Sequence, residues 1–175
     1  MKNMKMLVLG MLFLGIPLMF GGAPARAGEI LEFDMMATVP DNEFTIRDIT
    51  GGGLAWVVDK AKGSLDDDGD LEINVKGLVL RDTGVNPSGT FTGVVSCLVA
   101  PALEGDPATT ENVFTAPVVV GPEGDAEIKE TLLLPDSCFA PIVLVVGDSG
   151  NWFAVTGGGP EPEEEEDDDE DDDLD

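Results

Sequence analysis

Between Leu71 and Lys76 the chain alternates strictly, with Leu71, Ile73 and Val75 on one parity and Glu72, Asn74 and Lys76 on the other. A two-residue period suits a half-buried β-strand and not a helix, because successive side chains of a strand point to opposite faces. Residues 66–70, Asp-Asp-Asp-Gly-Asp, stand just before it, and a second apolar-rich arm (residues 54–65) precedes them. Asp-Gly between two such arms signals a hairpin, since glycine enters left-handed turn conformations without a Cβ penalty. The same plan recurs as far as residue 156.

Upstream, Leu31, Phe33, Met35, Ala37 and Val39 alternate against Glu32, Asp34 and Thr38, which predicts one strand over 31–39. Phe44, Ile46 and Ile49 predict a shorter one whose parity slips at Asp48. Downstream, Asn86-Pro87-Ser88-Gly89, Gly121-Pro122-Glu123-Gly124 and Pro135-Asp136-Ser137 carry turn chemistry. They set off strands over 90–99, 113–120, 126–134, 141–146 and 151–156. About nine short strands at this spacing, with no sustained 3.6-residue period, predict an all-β fold. The expected form is a single β-sandwich or barrel-like domain of antiparallel strands.

The two ends read differently. Lys2 and Lys5, an apolar run over 6–20 broken by Gly10, Gly15 and Pro17, and Ala25-Arg26-Ala27 form the three-part pattern of a signal peptide, with cleavage before Gly28. Residues 1–27 are thus assigned to the signal, 28–156 to the domain, and 157–175 to a Gly/Pro linker and acidic tail. Residues 161–175 carry 13 carboxylates. Such a segment cannot offset its ordering entropy with apolar burial, so the expectation is disorder. The remaining core holds six basic and 22 acidic side chains. No basic patch exists to neutralise phosphates or anionic lipid, so nucleic acid is not an expected partner, nor is membrane insertion after signal cleavage. The expected location is secreted or periplasmic.

The runs GGGLAWVVD, GLVLRDTGVNPSGTF and VFTAPVVVGPEGDAEIKETLLLPDSCFAPIVLVVGDSGNWFAVTG resemble small secreted bacterial β-domain proteins that carry no named function. The resemblance covers nearly all of the mature core and leaves out the acidic tail. It implies no catalytic or binding residue.

Cys97 and Cys138 are the two cysteines of the chain. Even count and export predict a disulfide tying the strand over 90–99 to the start of the strand over 141–146. Gly147-Asp148-Ser149-Gly150 has the four residues that surround the nucleophile of trypsin-like proteases. A serine needs a base to take its proton, however, and the chain has no histidine. The segment is explained as a turn. Asp66, Asp68, Asp70 and Glu72 offer oxygens around Gly69 for Ca2+, although an EF-hand alignment would put Ser64 first and Val75 twelfth, where Asp and Glu belong.

Three apolar runs break the one-sided pattern: 78–80, 118–120 and 142–146. Their second faces, with Leu78, Leu80, Val119, Val143 and Val145, predict an apolar patch covered by a loop, a second copy or a partner chain. The leading functional expectation is an exported non-catalytic domain acting in binding or surface structure. Low-affinity cation binding through the acidic turn and tail, which also suits cationic partners, comes second. A hydrolase built on a carboxylate pair comes third.

Overall fold

The computed structural model describes residues 28–41, 44–101, 105 and 107–157. The signal-peptide and acidic-tail assignments lie outside the described residues. Among those described the chain is all-β, with antiparallel sheets and no helix.

One sheet has four strands in the order β1 (Glu29–Phe33), β6 (Lys60–Asp66), β7 (Asp70–Lys76), β12 (Ala126–Thr131). The other has the order β10 (Thr109–Phe114), β9 (Thr90–Val99), β13 (Phe139–Gly147), β14 (Trp152–Val155), β2 (Ala37–Thr38), with β11 (Val118–Val119) also pairing β9. Two small pairs complete the fold, β3 (Thr45–Ile46) with β4 (Ile49–Thr50) and β5 (Trp56–Val57) with β8 (Val79–Leu80).

The acidic turn joins β6 to β7 as its chemistry predicts, with Leu65 opposite Leu71 and Ser64 opposite Glu72. Leu65, Leu71, Ile73, Val75 and Ile128 are buried, while Glu72, Lys76 and Lys129 keep contact with water. The four-stranded sheet therefore has one apolar and one polar face.

Three expected strands are divided, among them that over 113–120, which ends with β10 at Phe114 and resumes as β11 after Pro117. The alternation over 31–39 is cut after Phe33: β1 pairs β6 in one sheet, and β2 pairs β14 in the other. Asp34 and Met35 carry the chain across, so Met36, not Met35, is the buried methionine. The strand expected around 44–49 is a hairpin. Ile46 pairs Ile49, and the residues between them, Arg47 and Asp48, have φ 48° and 66°. Two successive positive φ values are what a type I′ turn requires, and they account for the parity slip at Asp48.

The six-stranded sheet carries buried apolar residues on both sides. A Cβ placed on Gly93 would lie 2.9 Å from Ile73 Cδ1 and 3.4 Å from Ile128 Cγ2, so odd positions of β9 face the four-stranded sheet. Val95, Val143 and Val145 share that inner face by register. Even positions face outward: Thr92 with Val146, Val94 with Leu144 and Phe114, Ser96 with Ile142 and Asn112. The β3–β4 hairpin crosses this outer face. Arg47 Nη2 donates to the Ala140 carbonyl at 3.0 Å, Asn112 Nδ2 donates to the Arg47 carbonyl at 2.8 Å, and Phe44 meets Trp152 edge-on at 5.0 Å.

Candidate functional site

Cys97 and Cys138 form a disulfide with Cα atoms 4.8 Å apart. It bolts β9 to the segment entering β13, as the sequence predicts, and is consistent with an oxidising compartment.

The four acidic residues around Gly69 sit close in the chain but commit their oxygens separately. Asp66 Oδ1 accepts the backbone N–H groups of Asp68 and Asp70, at 3.1 and 2.9 Å, which shapes the turn. Asp70 accepts the Thr131 hydroxyl, and Glu72 Oε2 pairs with Lys129 Nζ at 2.9 Å. Asp68 is exposed. Among the described residues no group of three or more His, Cys, Asp or Glu is placed to hold a metal ion.

Ser149 lines a cleft of about 180 Å³ together with Gly52, Trp56, Leu80, Asp148 and Phe153. Three loops meet there and are tied to one another. Asn151 Nδ2 donates to the Gly51 carbonyl at 3.0 Å, Asp148 N to Ser88 Oγ at 3.2 Å, and Gly89 N to Asp148 Oδ2 at 3.3 Å. Below, Trp56 stacks on Phe153 at 3.8 Å. Asp148 is thus a loop fastener, and no side chain hydrogen-bonds Ser149 among the described residues.

The five residues expected to form one covered patch lie in different settings. Leu78, Val143 and Val145 are fully buried, Leu80 is half-buried beside the cleft, and Val119 is 87% exposed on β11. The reason is layering. The inner side of β13 lies against the four-stranded sheet and its outer side lies under the β3–β4 hairpin, so a strand sealed on both faces reads as a continuous apolar run.

What the sequence reading missed is the margin of that hairpin. Six phenylalanines fall between residues 28 and 157, and Phe33, Phe91 and Phe153 are buried. The other three stay in water: Phe44 at 41%, Phe114 at 53% and Phe139 at 57% exposure. All three belong to the outer side of the six-stranded sheet. Phe114 is opposite Val94, Phe139 is opposite Leu98, and Phe44 touches Trp152. Under the hairpin, Arg47 Nη1, Ser96 Oγ and Asn112 Oδ1 are buried without hydrogen-bond partners. No sequence signal separates an exposed phenylalanine from a core one, since periodicity does not say which face another element will cover.

No protein-family model, curated protein or solved structure matches this chain.

Proposed function

We propose that the chain is an exported, non-catalytic interaction domain that grips a protein partner on the outer side of its six-stranded sheet. The two large sheets serve as the layers of a sandwich, and the β3–β4 hairpin forms a ridge on one of them. The observation that carries this reading is the exposure of Phe44, Phe114 and Phe139 around that ridge. Aromatic side chains are enriched at the centres of protein interfaces, where their large area is desolvated. The opposite outer face, on β6, β7 and β12, is charged and offers no such area. Chemistry at Ser149 has no support, because the chain contains no histidine to act as base.

Placing a photo-reactive phenylalanine analogue at position 139 in exporting cells tests the proposal. The expected result is a discrete adduct with one protein, absent when the analogue replaces Lys62 on the charged face. Equal labelling from both positions, or no adduct from position 139, would contradict it.

A further inference from the structure

The four ends of the two large sheets are not equally protected. Exposed strand edges invite pairing, and proteins blunt them with charge, bulges, shortness or cover. β1 has a register irregularity between Glu29 and Leu31 and carries two glutamates. β12 carries Glu127, Lys129 and Glu130, the last of which accepts the Ala116 N–H at 2.7 Å. β2 is two residues long, and Thr38 Oγ1 donates to the Trp56 carbonyl across its flank at 2.7 Å. β10 is the least protected along its own span, although Asn112 Nδ2 donates to the Arg47 carbonyl at 2.8 Å and the same edge slips by one residue before β11, where Pro117 stands. It pairs with β9 over six residues with no register shift, contains no Lys or Pro, and holds one charge, Glu111.

The orientation of its free edge follows from one bond. Thr115 N donates to the Gly93 carbonyl at 2.9 Å, so odd positions turn their backbone groups toward β9. Those of Thr110, Asn112 and Phe114 point away, and β10 has no second strand partner among the described residues.

We infer that β10 pairs with β10 of a second copy, antiparallel and centred on Asn112. This contact lies at the edge of the sheet, beside the phenylalanine-bearing face and separate from the contact proposed for it, and its partner is another copy of the chain. The register is fixed by physics. With Asn112 opposite Asn112, Thr110 stands opposite Phe114 of the second copy, and all three outward positions fall in hydrogen-bonded pairs, about six bonds in all. Glu111 then faces Val113. A shift one way sets Glu111 against Glu111, like charges at closest approach, and loses a pair; the other shift also loses a pair. A two-fold axis through Asn112, perpendicular to the sheet, keeps both hairpins and both Phe114 rings on one side. The contact forms between two strongly acidic molecules, so salt favours it by screening their repulsion.

Sedimentation velocity on the exported protein tests this, with dimerisation expected to tighten as NaCl rises from about 0.05 to 0.5 M. Thr110→Pro removes an outward N–H and leaves the β9 ladder intact, and roughly tenfold weaker association at an unchanged melting temperature is expected. Asn112→Cys should give a disulfide-linked dimer on oxidation, because the facing Cα atoms would be about 5.5 Å apart. Glu111→Cys should not. A monomer at all concentrations, or a dimer indifferent to Thr110→Pro and not trapped at position 112, overturns the inference. A monomeric protein that still crosslinks a different protein from position 139 overturns self-pairing alone and leaves the interaction reading standing. A trapped dimer with no adduct from position 139 does the reverse.

Discussion

Asp125 shows how one surface carboxylate holds a turn. Its Oδ1 accepts the Gly77 N–H at 3.0 Å and its Oδ2 the Lys76 ammonium at 3.0 Å, and these, the Gly77 bond foremost, hold its pKa below the usual aspartate value. A carboxylate with a depressed folded pKa contributes stability above its unfolded pKa and loses it as pH falls through the folded one. The contribution is therefore intact at neutral pH and fades below about pH 3.9. NMR titration should place the Asp125 midpoint below that of an ordinary aspartate, and Lys76→Ala should restore only part of the difference. Complete restoration would mean the Gly77 bond does nothing. Lys129 runs the other way: the Glu72 carboxylate raises its pKa, so that contribution persists through neutral pH and is lost as pH climbs through the raised value. Glycine geometry gives a second residue-scale expectation. Gly69 has φ 85°, and a Cβ there would run into the Leu132 carbonyl oxygen, whereas Gly84 has φ 65° with open space around it. Urea unfolding should show Gly84→Ala costing about 1–2 kcal/mol, the left-handed penalty alone. Gly69→Ala should cost about 1–3 kcal/mol more for the clash. Equal losses would place Leu132 elsewhere.

At the scale of elements, β13 is the strand whose role is most changed by its neighbours. Val143 and Val145 face the four-stranded sheet and are fully buried, opposite Val95 and Gly93. Threonine in either place leaves a hydroxyl without water, so each substitution should destabilise by about 1–3 kcal/mol in denaturant melts. Mild variants that alter association alone would show these side chains to be reachable. The Cys97–Cys138 bridge, 41 residues apart in sequence, restrains the unfolded chain more than the folded one, where β9 and β13 are already paired. Its reduction should lower stability by about 4 kcal/mol in the chain-entropy picture. An unchanged melting temperature after complete reduction would refute that. The β3–β4 hairpin is the opposite kind of element, with two non-glycine residues in left-handed conformations, held in place by contacts from Arg47 to Ala140 and from Asn112 to Arg47.

For the whole molecule, charge dominates. Six bases against 22 acids between residues 28 and 160 leave a core that repels itself. Lys76, Arg81 and Lys129 pair with carboxylates at 3.0, 3.7 and 2.9 Å, but exposed pairs of this kind contribute little. Screening should therefore outweigh the loss of ion pairs, and the melting temperature should rise between about 0.02 and 0.5 M NaCl. A fall would mean the ion pairs carry more of the stability than their exposure suggests.

Local chemistry alone determined much of this protein. Alternation at Leu71, Ile73 and Val75 marks a strand because the pleat has period two, and Asp68-Gly69 marks its turn because glycine tolerates positive φ. The strand over 90–99 and the cysteine pairing were equally legible, since compartment and count leave one bridge to make. Strand order was not legible. Nothing within 142–146 says that both faces will be covered, because burial is settled by which elements land on each side. Likewise nothing in 31–39 says that the chain changes sheets after Phe33, since alternation is the same in either sheet. Exposure of Phe44, Phe114 and Phe139, and the open edge of β10, exist only after β9 has taken its neighbours and the hairpin has crossed them. Those are long-range pairings, and periodicity carries information about faces, not about partners.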